Sequence, residues 1–566
     1  MSIVPPFAAL PLPLARRLLV GGDGPGLVPA RDAALAAGDA VGPLADALCL
    51  AVWEGAPFWP EAAALTLARH AARPFMPPAL VEAVRAVVAA TPEPRADAYF
   101  DRLAARRDLR KMLTYLLSRQ EKAPGDPTVL YRLAVFAPML GRASDEDAAL
   151  ARTVEAVFAA LSGPFAPLGG LTAARLALLD GRAGEAGDRC RALLAVFPAD
   201  AVRQLTALAA LRLGDREAAR ASLAGLLRAR PWDTLPLHAL YDLATGLAAR
   251  RQTLPGTLAV LLYSYNNAAL LDQALAALAA TDWDFAREAG GARLFVVDNG
   301  SGDDTAAVLA GWGERLGERL RVITLPVNVG APAARNWLAH LPEVRARDFA
   351  AYLDDDAFVP PDWLGRFGAA VDVFPEAGVW GCRILGRDAA SFVQCADSHL
   401  FPTLRDGEGF GRAFDLASPW LVTPDYGQYA VCRPCATVTG CCHLFRTDVL
   451  QAVGDFDIRF SPSQYDDLDH DLRLLLAGRP PCYQGHLAVI HAKATGAASL
   501  PGGAQYGSGF ANQFKLHQKY DDAAVARMAD AAFAALAVDA GRKWRAVRDL
   551  GLVDAAATGE GGRHDG

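Results

Sequence analysis

A regular alternation of apolar strands and helices between residues 258 and 353 constrains the fold of this chain more than any other feature. A buried strand is predicted over residues 258–263. Three further strands are predicted in ARLFVVD, LRVITL and FAAYL, separated by helices near 268–280, near 304–316 and from Pro332. Such alternation indicates an α/β domain with a mostly parallel, doubly wound sheet, whose ligand binds outside the carboxyl ends of the strands.

The region before this sheet has a different pattern. Apolar residues recur at helical spacing through the first 250 residues, and nothing strand-like interrupts them. Gly214 follows Gly181 by 33 residues, and Pro231 follows Pro198 by the same number. This spacing is close to the roughly 34-residue period of tetratricopeptide repeats. A chain of 566 residues is too long to fold around a single hydrophobic core. We therefore expect an all-α helical-repeat domain over 1–250, the sheet domain over 251–500 and a C-terminal helical extension over 501–566.

Both helical regions have more than one interpretation. Stacked helix pairs bury a continuous core and leave a concave face that commonly binds a protein partner. The alternative is a helical cap that only stabilises its neighbour. In the extension, AAVARMADAAFAALAVDAGRKWRAV predicts a helix that covers the sheet or contacts a partner, and about the last ten residues are predicted to be disordered.

Charge and composition exclude several classes of protein. The net charge of −7 argues against nucleic-acid binding, which usually requires a basic face. No apolar stretch approaches the roughly 20 residues of a transmembrane helix. The early positive charges, Arg16 and Arg17, follow the apolar N-terminal segment, the reverse of a secretory signal, so a cytoplasmic location is predicted. The nine cysteines are expected to be thiols or ligands, not disulfides.

Three adjacent acids end the strand FAAYL in the segment AYLDDDAFV. Carboxylates crowded at a buried strand end repel one another unless a cation or firm hydrogen bonding offsets their charge. Alternate residues of an extended segment point the same way, so Asp354 and Asp356 are expected to act together while Asp355 faces elsewhere. A hard divalent cation is the favoured interpretation, and a solvated acidic turn is the alternative.

Other candidate site residues also lie at element ends. Asp298 closes a strand in VVDNGSGDDT, where Ser301 and Asp304 have the spacing of a capping box. Arg335 in NVGAPAARN lies just inside a helix N-terminus, which suits an anion. Asp466 and Asp467 begin an amphipathic helix, and the later strand HLAVIH ends at His491.

The order of these motifs over roughly residues 256–495 resembles the family-2 glycosyltransferases, inverting enzymes of the nucleotide-diphospho-sugar transferase (GT-A type) fold. The resemblance implies that the donor's nucleotide lies near the end of the first strand and the DNGS-type turn, with Arg335 near the nucleotide or diphosphate and Asp355 near ribose or donor sugar. The implied nucleotide-binding residues at those two strand ends are Tyr263, Tyr265, Asn266 and Asp298.

The same resemblance implies the reacting groups. The family's aspartate-any-aspartate motif falls on Asp354 and Asp356, and His491 completes a site for Mn²⁺ or Mg²⁺. Asp467 takes the position of the catalytic base, while Asp466 replaces the family's usual Glu. A metal-held diphosphate leaving group and one carboxylate base are sufficient for a single inverting displacement by an acceptor hydroxyl.

Alternatives remain at this stage. The chain could be a nucleotidyl or phosphosugar transferase, or a non-enzymatic helical-repeat scaffold with a sugar-nucleotide-sensing domain. Acceptor selection is expected in the irregular segment near 385–435, and the acceptor is a glycan or a protein, which suits surface polysaccharide synthesis or protein glycosylation. A cluster of possible zinc ligands is the last open point: Cys432, Cys435, Cys441, Cys442 and His443.

Overall fold

The computed structural model describes residue 7 and residues 9–93, 96–141, 144–287, 292–387, 392–403, 411–421, 423–492 and 503–553. The prediction for the disordered tail lies outside these residues, as does most of the segment DGEGFGR. Within the part of the chain that is described, no helix is long and apolar enough to cross a membrane.

Fourteen α-helices of the described residues precede the first strand, which confirms the all-α character of this region. They are α1 (Leu12–Val20), α2 (Val28–Ala36), α3 (Gly42–Gly55), α4 (Pro60–Ala72), α5 (Pro78–Ala90), α6 (Ala98–Ala105), α7 (Leu109–Lys122), α8 (Pro127–Phe136), α9 (Asp145–Ala159), α10 (Ala166–Leu179), α11 (Ala183–Val196), α12 (Asp200–Leu213), α13 (Arg216–Ala229) and α14 (Thr234–Ala244).

The 33-residue offset has a structural basis in α10 to α13. Gly181 and Gly214 have φ angles of 79° and 77°, and each lies in the turn that joins two helices of a pair. Residues with a side chain rarely adopt this left-handed backbone conformation, whereas glycine adopts it without steric cost. Asp215 then caps α13 by accepting a hydrogen bond from the backbone N–H of Ala218 at 3.0 Å. The repeated glycines therefore end one helix and allow the chain to reverse into the next.

The remaining elements form the α/β domain and its extension. The strands are β1 (Leu258–Ser264), β2 (Arg293–Asp298), β3 (Leu320–Thr324), β4 (Phe349–Asp354), β5 (Ala357–Phe358), β6 (Val379–Gly386), β7 (Val393–Cys395), β8 (His399–Pro402), β9 (Phe414–Ala417), β10 (Cys432–Pro434), β11 (Cys442–Arg446) and β12 (Cys482–His491). The helices are α15 (Ala268–Ala279), α16 (Thr305–Leu316), α17 (Ala331–Ala339), α18 (Pro342–Arg345), α19 (Trp363–Val373), α20 (Thr447–Val453), α21 (Asp466–Leu476), α22 (Gly503–Lys519) and α23 (Asp522–Asp549).

Ten strands form one sheet, whose main path runs β10-β12-β6-β11-β4-β1-β2-β3. Strands β3, β2, β1 and β4 are parallel neighbours, and β6 and β12 are also parallel. Strand β11 runs antiparallel between β4 and β6. The predicted α/β class with a mostly parallel sheet of the GT-A type is thus confirmed. The carboxyl ends of β1, β2 and β4 meet at one edge of the sheet.

The C-terminal helix α23 packs against both halves of the molecule. It contacts α1 and α14 of the helical region, and α21, β8 and β10 of the α/β domain. Its buried Phe533 belongs to the same apolar core as Leu18 of α1 and Leu472 of α21. Because β10 is an edge strand of the sheet, α23 also covers that edge.

Candidate active site

A cleft with a volume of about 380 Å³ opens at the carboxyl ends of the parallel strands. Its walls come from the ends of β1, β4 and β12, the residues after β2, the segment before β11 and the starts of α17 and α21. Most residues predicted for the site line this cleft: Tyr263, Tyr265, Arg335, Asp354, Asp355, Asp356, Asp467 and His491.

The predicted metal ligands lie together on one wall. His491 ends β12, where it pairs with Ala357 of β5 directly after the acidic run. The Nε2 atom of His491 lies 3.0 Å from Oδ1 of Asp356 and 3.8 Å from Oδ2 of Asp354. Burial lowers the pKa of His491, but hydrogen bonding to Asp356 and Cys441 more than offsets this and raises it to about 11. The pairing of β12 with β5 therefore places the His491 imidazole beside the Asp354 and Asp356 carboxylates, a combination that attracts cations.

Asp355 points away from these two acids, as the alternation predicted. Its carboxylate accepts hydrogen bonds from Ser264 Oγ at 2.6 Å and Asn267 Nδ2 at 2.8 Å. Burial raises the pKa of Asp355 to about 6, although these two hydrogen bonds oppose the shift. In this structure Asp355 thus joins the end of β4 to the end of β1 and the residue before α15.

Arg335 joins the two acidic groups of the cleft. Its guanidinium lies 2.5 Å from Asp466 and 3.6 Å from Asp354, and 5.4 Å from the ring centroid of Tyr263. Only 5% of the Arg335 side chain is exposed. A charged hydrogen bond buried to this degree is strong and geometrically restrictive. The arginine predicted near a diphosphate is therefore held firmly between β4 and α21.

The two acids that begin α21 have different environments. Asp467 is half-buried and accepts backbone hydrogen bonds from Gly440 and Leu468, both at 2.8 Å. Asp466 is 2% exposed and pairs with Arg335. Burial raises the pKa of Asp466 to about 6 against the opposing charge of Arg335. Asp467 thus presents a fixed carboxylate to the cleft, while Asp466 is part of an internal ion pair.

The residues predicted for the nucleotide form a connected turn at the ends of β1 and β2. Tyr265 is 46% exposed. Asn266 has a φ of 51°, donates its backbone N–H to Ser301 Oγ at 3.0 Å and accepts from the backbone of Gly302 at 2.7 Å. Asp298 is 3% exposed and accepts from the backbone N–H of Ser301 at 2.9 Å. Asn266 and Asp298 shape the turn and lie outside the lining of the cleft.

The predicted capping box at Ser301 and Asp304 is not formed. Helix α16 begins at Thr305, and Asp303 accepts hydrogen bonds from the Thr305 backbone at 3.1 Å and hydroxyl at 2.5 Å. Ser301 instead binds Asn266. The spacing matched a helix that starts earlier, whereas the turn uses the serine to hold the end of β1.

Several residues at the site were not among those that the sequence motifs predicted. Asn299 and Asn328 line the cleft and are joined by a 3.0 Å hydrogen bond. Gln394 of β7 contacts Nδ1 of His491 at 3.0 Å. Asn512 of α22 donates to the backbone oxygens of Phe460 and Ser463 at 2.6 and 3.0 Å. Asn299 and Asn328 adjoin predicted motifs in the sequence. Gln394 and Asn512 do not, and only the fold brings them to the site.

The cysteines do not assemble the zinc site considered above. All nine are free, and eight are buried. Among the described residues, one group of three His, Cys, Asp or Glu ligand atoms lies within 4.8 Å of one another, and its members are Asp354, Cys441 and His491. His443 packs against Tyr352 and Phe445 in the core. Asp356 contacts His491 from outside that group. The carboxylate and imidazole donors at the cleft nevertheless fit a divalent cation.

An acidic cleft at the carboxyl ends of a mostly parallel sheet, with a carboxylate pair on a late helix, is the architecture of a GT-A sugar-nucleotide transferase domain. Residues 259–454 match the family model for glycosyl transferase family 2. This part of the chain is therefore a family 2 glycosyltransferase domain.

Similar proteins were found by sequence and by structure. The O-antigen biosynthesis protein RfbC of Myxococcus xanthus is 28% identical over 199 residues, which cover 35% of this chain and 14% of RfbC. This chain thus spans a small fraction of that relative's length. The mannosyltransferase PcManGT from Pyrobaculum calidifontis, solved with GDP-Man and Mn²⁺, is 16% identical over 60% of this chain and 89% of its own, with a TM-score of 0.33. TarS of S. aureus is 18% identical over 42% of this chain and 37% of its own, with a TM-score of 0.30.

Proposed function

We propose that this protein is an inverting, metal-dependent glycosyltransferase that moves a hexosyl or deoxyhexosyl group from a nucleotide-diphospho-sugar to a hydroxyl of a glycan or protein. The observation that carries the proposal is the shared cleft of a family 2 domain: Asp467 lines the same cavity as Asp354, Asp356 and His491. A base and a cation-binding wall on one cavity are what a single displacement at a sugar carbon requires.

Asp354, Asp356 and His491 would hold Mn²⁺ or Mg²⁺. When bound, such a cation acts as a Lewis acid on the phosphate oxygens of the donor. The chain's own contribution is a wall of carboxylates with one imidazole, whose other ring nitrogen is contacted by Gln394. A hydrogen bond to the second ring nitrogen fixes the orientation of a ligating histidine.

Asp467 is the proposed general base. The acceptor hydroxyl passes its proton to the Asp467 carboxylate as its oxygen bonds to the anomeric carbon, and the bond from that carbon to the diphosphate breaks. The hydrogen bonds from Gly440 and Leu468 fix the carboxylate and therefore reduce the entropy cost of alignment. Asp466 acts through Arg335, which keeps its positive charge at the diphosphate side of the cleft.

Tyr263, Tyr265, Asn266, Asp298 and Asp355 are proposed to form the nucleotide and ribose side of the site. Tyr265 supports this assignment, since its exposed ring lines the cleft and could stack on a base. Asn266 and Asp298 would act by holding the turn, because they bind Ser301 and Gly302. Asp355 would contact ribose or sugar only by exchanging its hydrogen bonds to Ser264 and Asn267.

The biological setting we propose is surface polysaccharide synthesis or protein glycosylation in the cytoplasm. The sequence similarity to an O-antigen biosynthesis protein supports the first of these. The helical region would recruit the acceptor or an assembly partner through the concave face that stacked helix pairs create. The domain division at residues 250 and 500 also remains part of this proposal, with the qualification that α23 shares its core with the helical region.

The decisive experiment measures nucleoside diphosphate release across a panel of sugar nucleotides, with Mn²⁺, with Mg²⁺ and with chelator. We expect a cation-dependent signal for one donor. Asp467→Asn should lower it by about 10²- to 10⁴-fold, the usual contribution of a general base, while donor affinity measured by calorimetry is retained. Asp448→Asn is the matched control, since its side chain is 73% exposed in the same domain.

Three outcomes would contradict the proposal. Release of pyrophosphate would identify a nucleotidyltransferase. Donor binding without release, even when glycan and protein acceptors are supplied, would favour the sugar-nucleotide-sensing scaffold. Full turnover in Asp467→Asn, together with weakened donor binding, would show that Asp467 is not the general base.

A further inference from the structure

The residue directly before β11 lies beside the acidic run. Strand β11 pairs antiparallel with β4, with Cys442 opposite Leu353, so Cys441 falls opposite Asp354. The backbone N–H of Asp354 donates to the Cys441 carbonyl at 2.9 Å. Both residues line the cleft. The sheet register therefore fixes Cys441 next to a proposed metal ligand.

The side chains converge as well as the backbones. A carboxylate oxygen of Asp354, Sγ of Cys441 and a ring nitrogen of His491 all lie within 4.8 Å of one another. Metal–sulfur bonds of about 2.3 Å and metal–nitrogen bonds of about 2.0 Å place the sulfur and nitrogen ligands of one ion at most about 4.3 Å apart. The three atoms thus need little movement to bind the same ion.

Burial distinguishes this thiol from a surface cysteine. Cys441 is 6% exposed and His491 is 2% exposed. Cys441 shares the apolar core of the sheet with Cys382, Cys432 and Cys482, but of the nine cysteines it alone also lines the cleft. A soft sulfur donor is therefore present in the cleft at the point where the carboxylate and the imidazole meet.

We propose that Cys441 binds the active-site cation through its sulfur, together with Asp354 and His491. The inference rests on the metal dependence proposed above and specifies its ligand set. Sulfur loses its proton to solvent on binding, and thiolate with imidazole favours Zn²⁺, Co²⁺ and Cd²⁺ over Mg²⁺. Asp356 then orients His491 through the 3.0 Å contact or contributes a further oxygen.

The test is optical titration of the full chain with Co²⁺ alone. Sulfur bound to Co²⁺ gives a charge-transfer band in the near ultraviolet that carboxylate and imidazole do not give. We expect this band in the native protein, its loss in Cys441→Ser and its retention in Cys395→Ser. Cys395 is the control because it is a half-buried thiol in the neighbouring β7. Cd²⁺ affinity in Cys441→Ser should fall about ten-fold or more, as is typical when a metal site is damaged, and Mg²⁺ affinity should change less.

The native protein decides the matter even if Cys441→Ser does not fold. Co²⁺ binding with no sulfur band in the native protein would overturn the role of Cys441 and leave the proposed metal dependence intact. A band that persists in Cys441→Ser and disappears in Cys395→Ser would overturn it as well. No binding of Co²⁺ or Mn²⁺ with or without UDP, judged by calorimetry, would overturn the metal dependence itself.

Discussion

Two groups of buried charge in this molecule differ in what offsets their charges. The cleft cluster combines one arginine and one histidine with five aspartates, namely Arg335, His491, Asp354, Asp355, Asp356, Asp466 and Asp467. The junction cluster lies where α14, α23 and the β10 edge meet, and consists of His238, Asp242, Asp539, Arg542 and Lys543. The first has an excess of acid, and the second is balanced.

The junction cluster is internally satisfied in charge. Lys543 is fully buried and lies 3.1 Å from Asp539, 3.7 Å from Asp242 and 3.1 Å from Nδ1 of His238. Burial lowers the pKa of Lys543, but Asp539 and Asp242 more than offset this, so the pKa is raised. Burial and the nearby Lys543 hold the pKa of His238 well below its usual value. A neutral histidine then accepts from the lysine, and two acids match Lys543 and Arg542.

The comparison teaches that burial of charge does not by itself indicate a catalytic site. A balanced cluster in a closed junction holds segments together, because separating its members would leave bare charges in a medium of low polarity. An unbalanced cluster that faces a cleft gains most from an added cation. The predictions below test this distinction, from the largest expected change to the smallest.

Lys543→Met should destabilise the protein most. The substitution leaves Asp539 and Asp242 without their buried cation, and removing one partner of such a pair typically costs about 3–5 kcal/mol. We expect this loss in the free energy of unfolding, measured by urea denaturation. Arg250→Met is the control, because Arg250 and its partner Asp372 are 43% and 45% exposed and an exposed ion pair contributes about 0–1 kcal/mol. Equal losses in both variants would show that the junction cluster is not a distinct stabilising unit.

Added cation should stabilise the native protein through the cleft cluster alone. At about 100 times the dissociation constant, a ligand of the native state adds about 2.7 kcal/mol. We expect Mn²⁺ to raise the thermal midpoint, chelator to reverse the change and Asp354→Asn to abolish it. Arg542→Met should keep the full shift. A shift that survives in Asp354→Asn would place the cation elsewhere.

Asp397 should make stability fall at low pH. Its carboxylate accepts from Arg433 at 2.7 Å and His399 at 2.9 Å. Burial raises the pKa, but the charge of Arg433 and the bond to His399 lower it to about 2. A lowered pKa adds stability above the ordinary value near 3.8 that is lost as pH falls towards 2, here roughly 2 kcal/mol.

This pH dependence is measured by urea unfolding in steps between pH 6 and pH 3. The native profile should fall more steeply than that of Asp397→Asn over the acid part of the range. Asp415→Asn serves as the control, since Asp415 is 54% exposed, and its profile should follow the native one. Parallel profiles for the native protein and Asp397→Asn would contradict the prediction.

Asn512→Ala should have the smallest effect on stability and a measurable effect on turnover. Its amide holds the backbone of Phe460 and Ser463, just before α21, where Gln464 and Tyr465 have φ angles of 76° and 72°. Loss of these bonds should cost about 1–2 kcal/mol in unfolding free energy.

Because this segment leads into α21, which carries Asp467, nucleoside diphosphate release should fall about ten-fold in Asn512→Ala, through misalignment of the base. Gln518→Ala on the exposed side of α22 is the control, and we expect native turnover. Unchanged turnover in Asn512→Ala would mean that α22 does not position the base.

Much of the fold could be predicted from local patterns. The predicted helix near 268–280 is Ala268–Ala279, and the strand FAAYL is part of Phe349–Asp354. These elements follow from hydrophobic periodicity, which depends on neighbours in sequence. The capping box at Ser301 failed because its spacing is also compatible with a turn, and the contact with Asn266 decided between them.

The candidate site divides in the same way. Asp354 and Asp356 were predicted from the run of acids after a buried strand, Asp467 and His491 from the resemblance in motif order, and the structure brings all four to one cleft. Cys441 was predicted only as a thiol or a possible zinc ligand; its closeness to Asp354 was not predicted, because it depends on the register of β11 with β4. The pairing of Asp466 with Arg335 crosses 131 residues and left no local pattern.

The sequence by itself determined the α/β alternation, the helical region before it and the acids at the strand and helix ends, because periodicity and end residues are local properties. Only the tertiary structure decided that Cys441 faces the proposed metal ligands, that Arg335 pairs with Asp466, and that α23 joins the helical region to the edge strand β10. These contacts depend on strand register and helix docking, which are set by the packing of residues far apart in the chain.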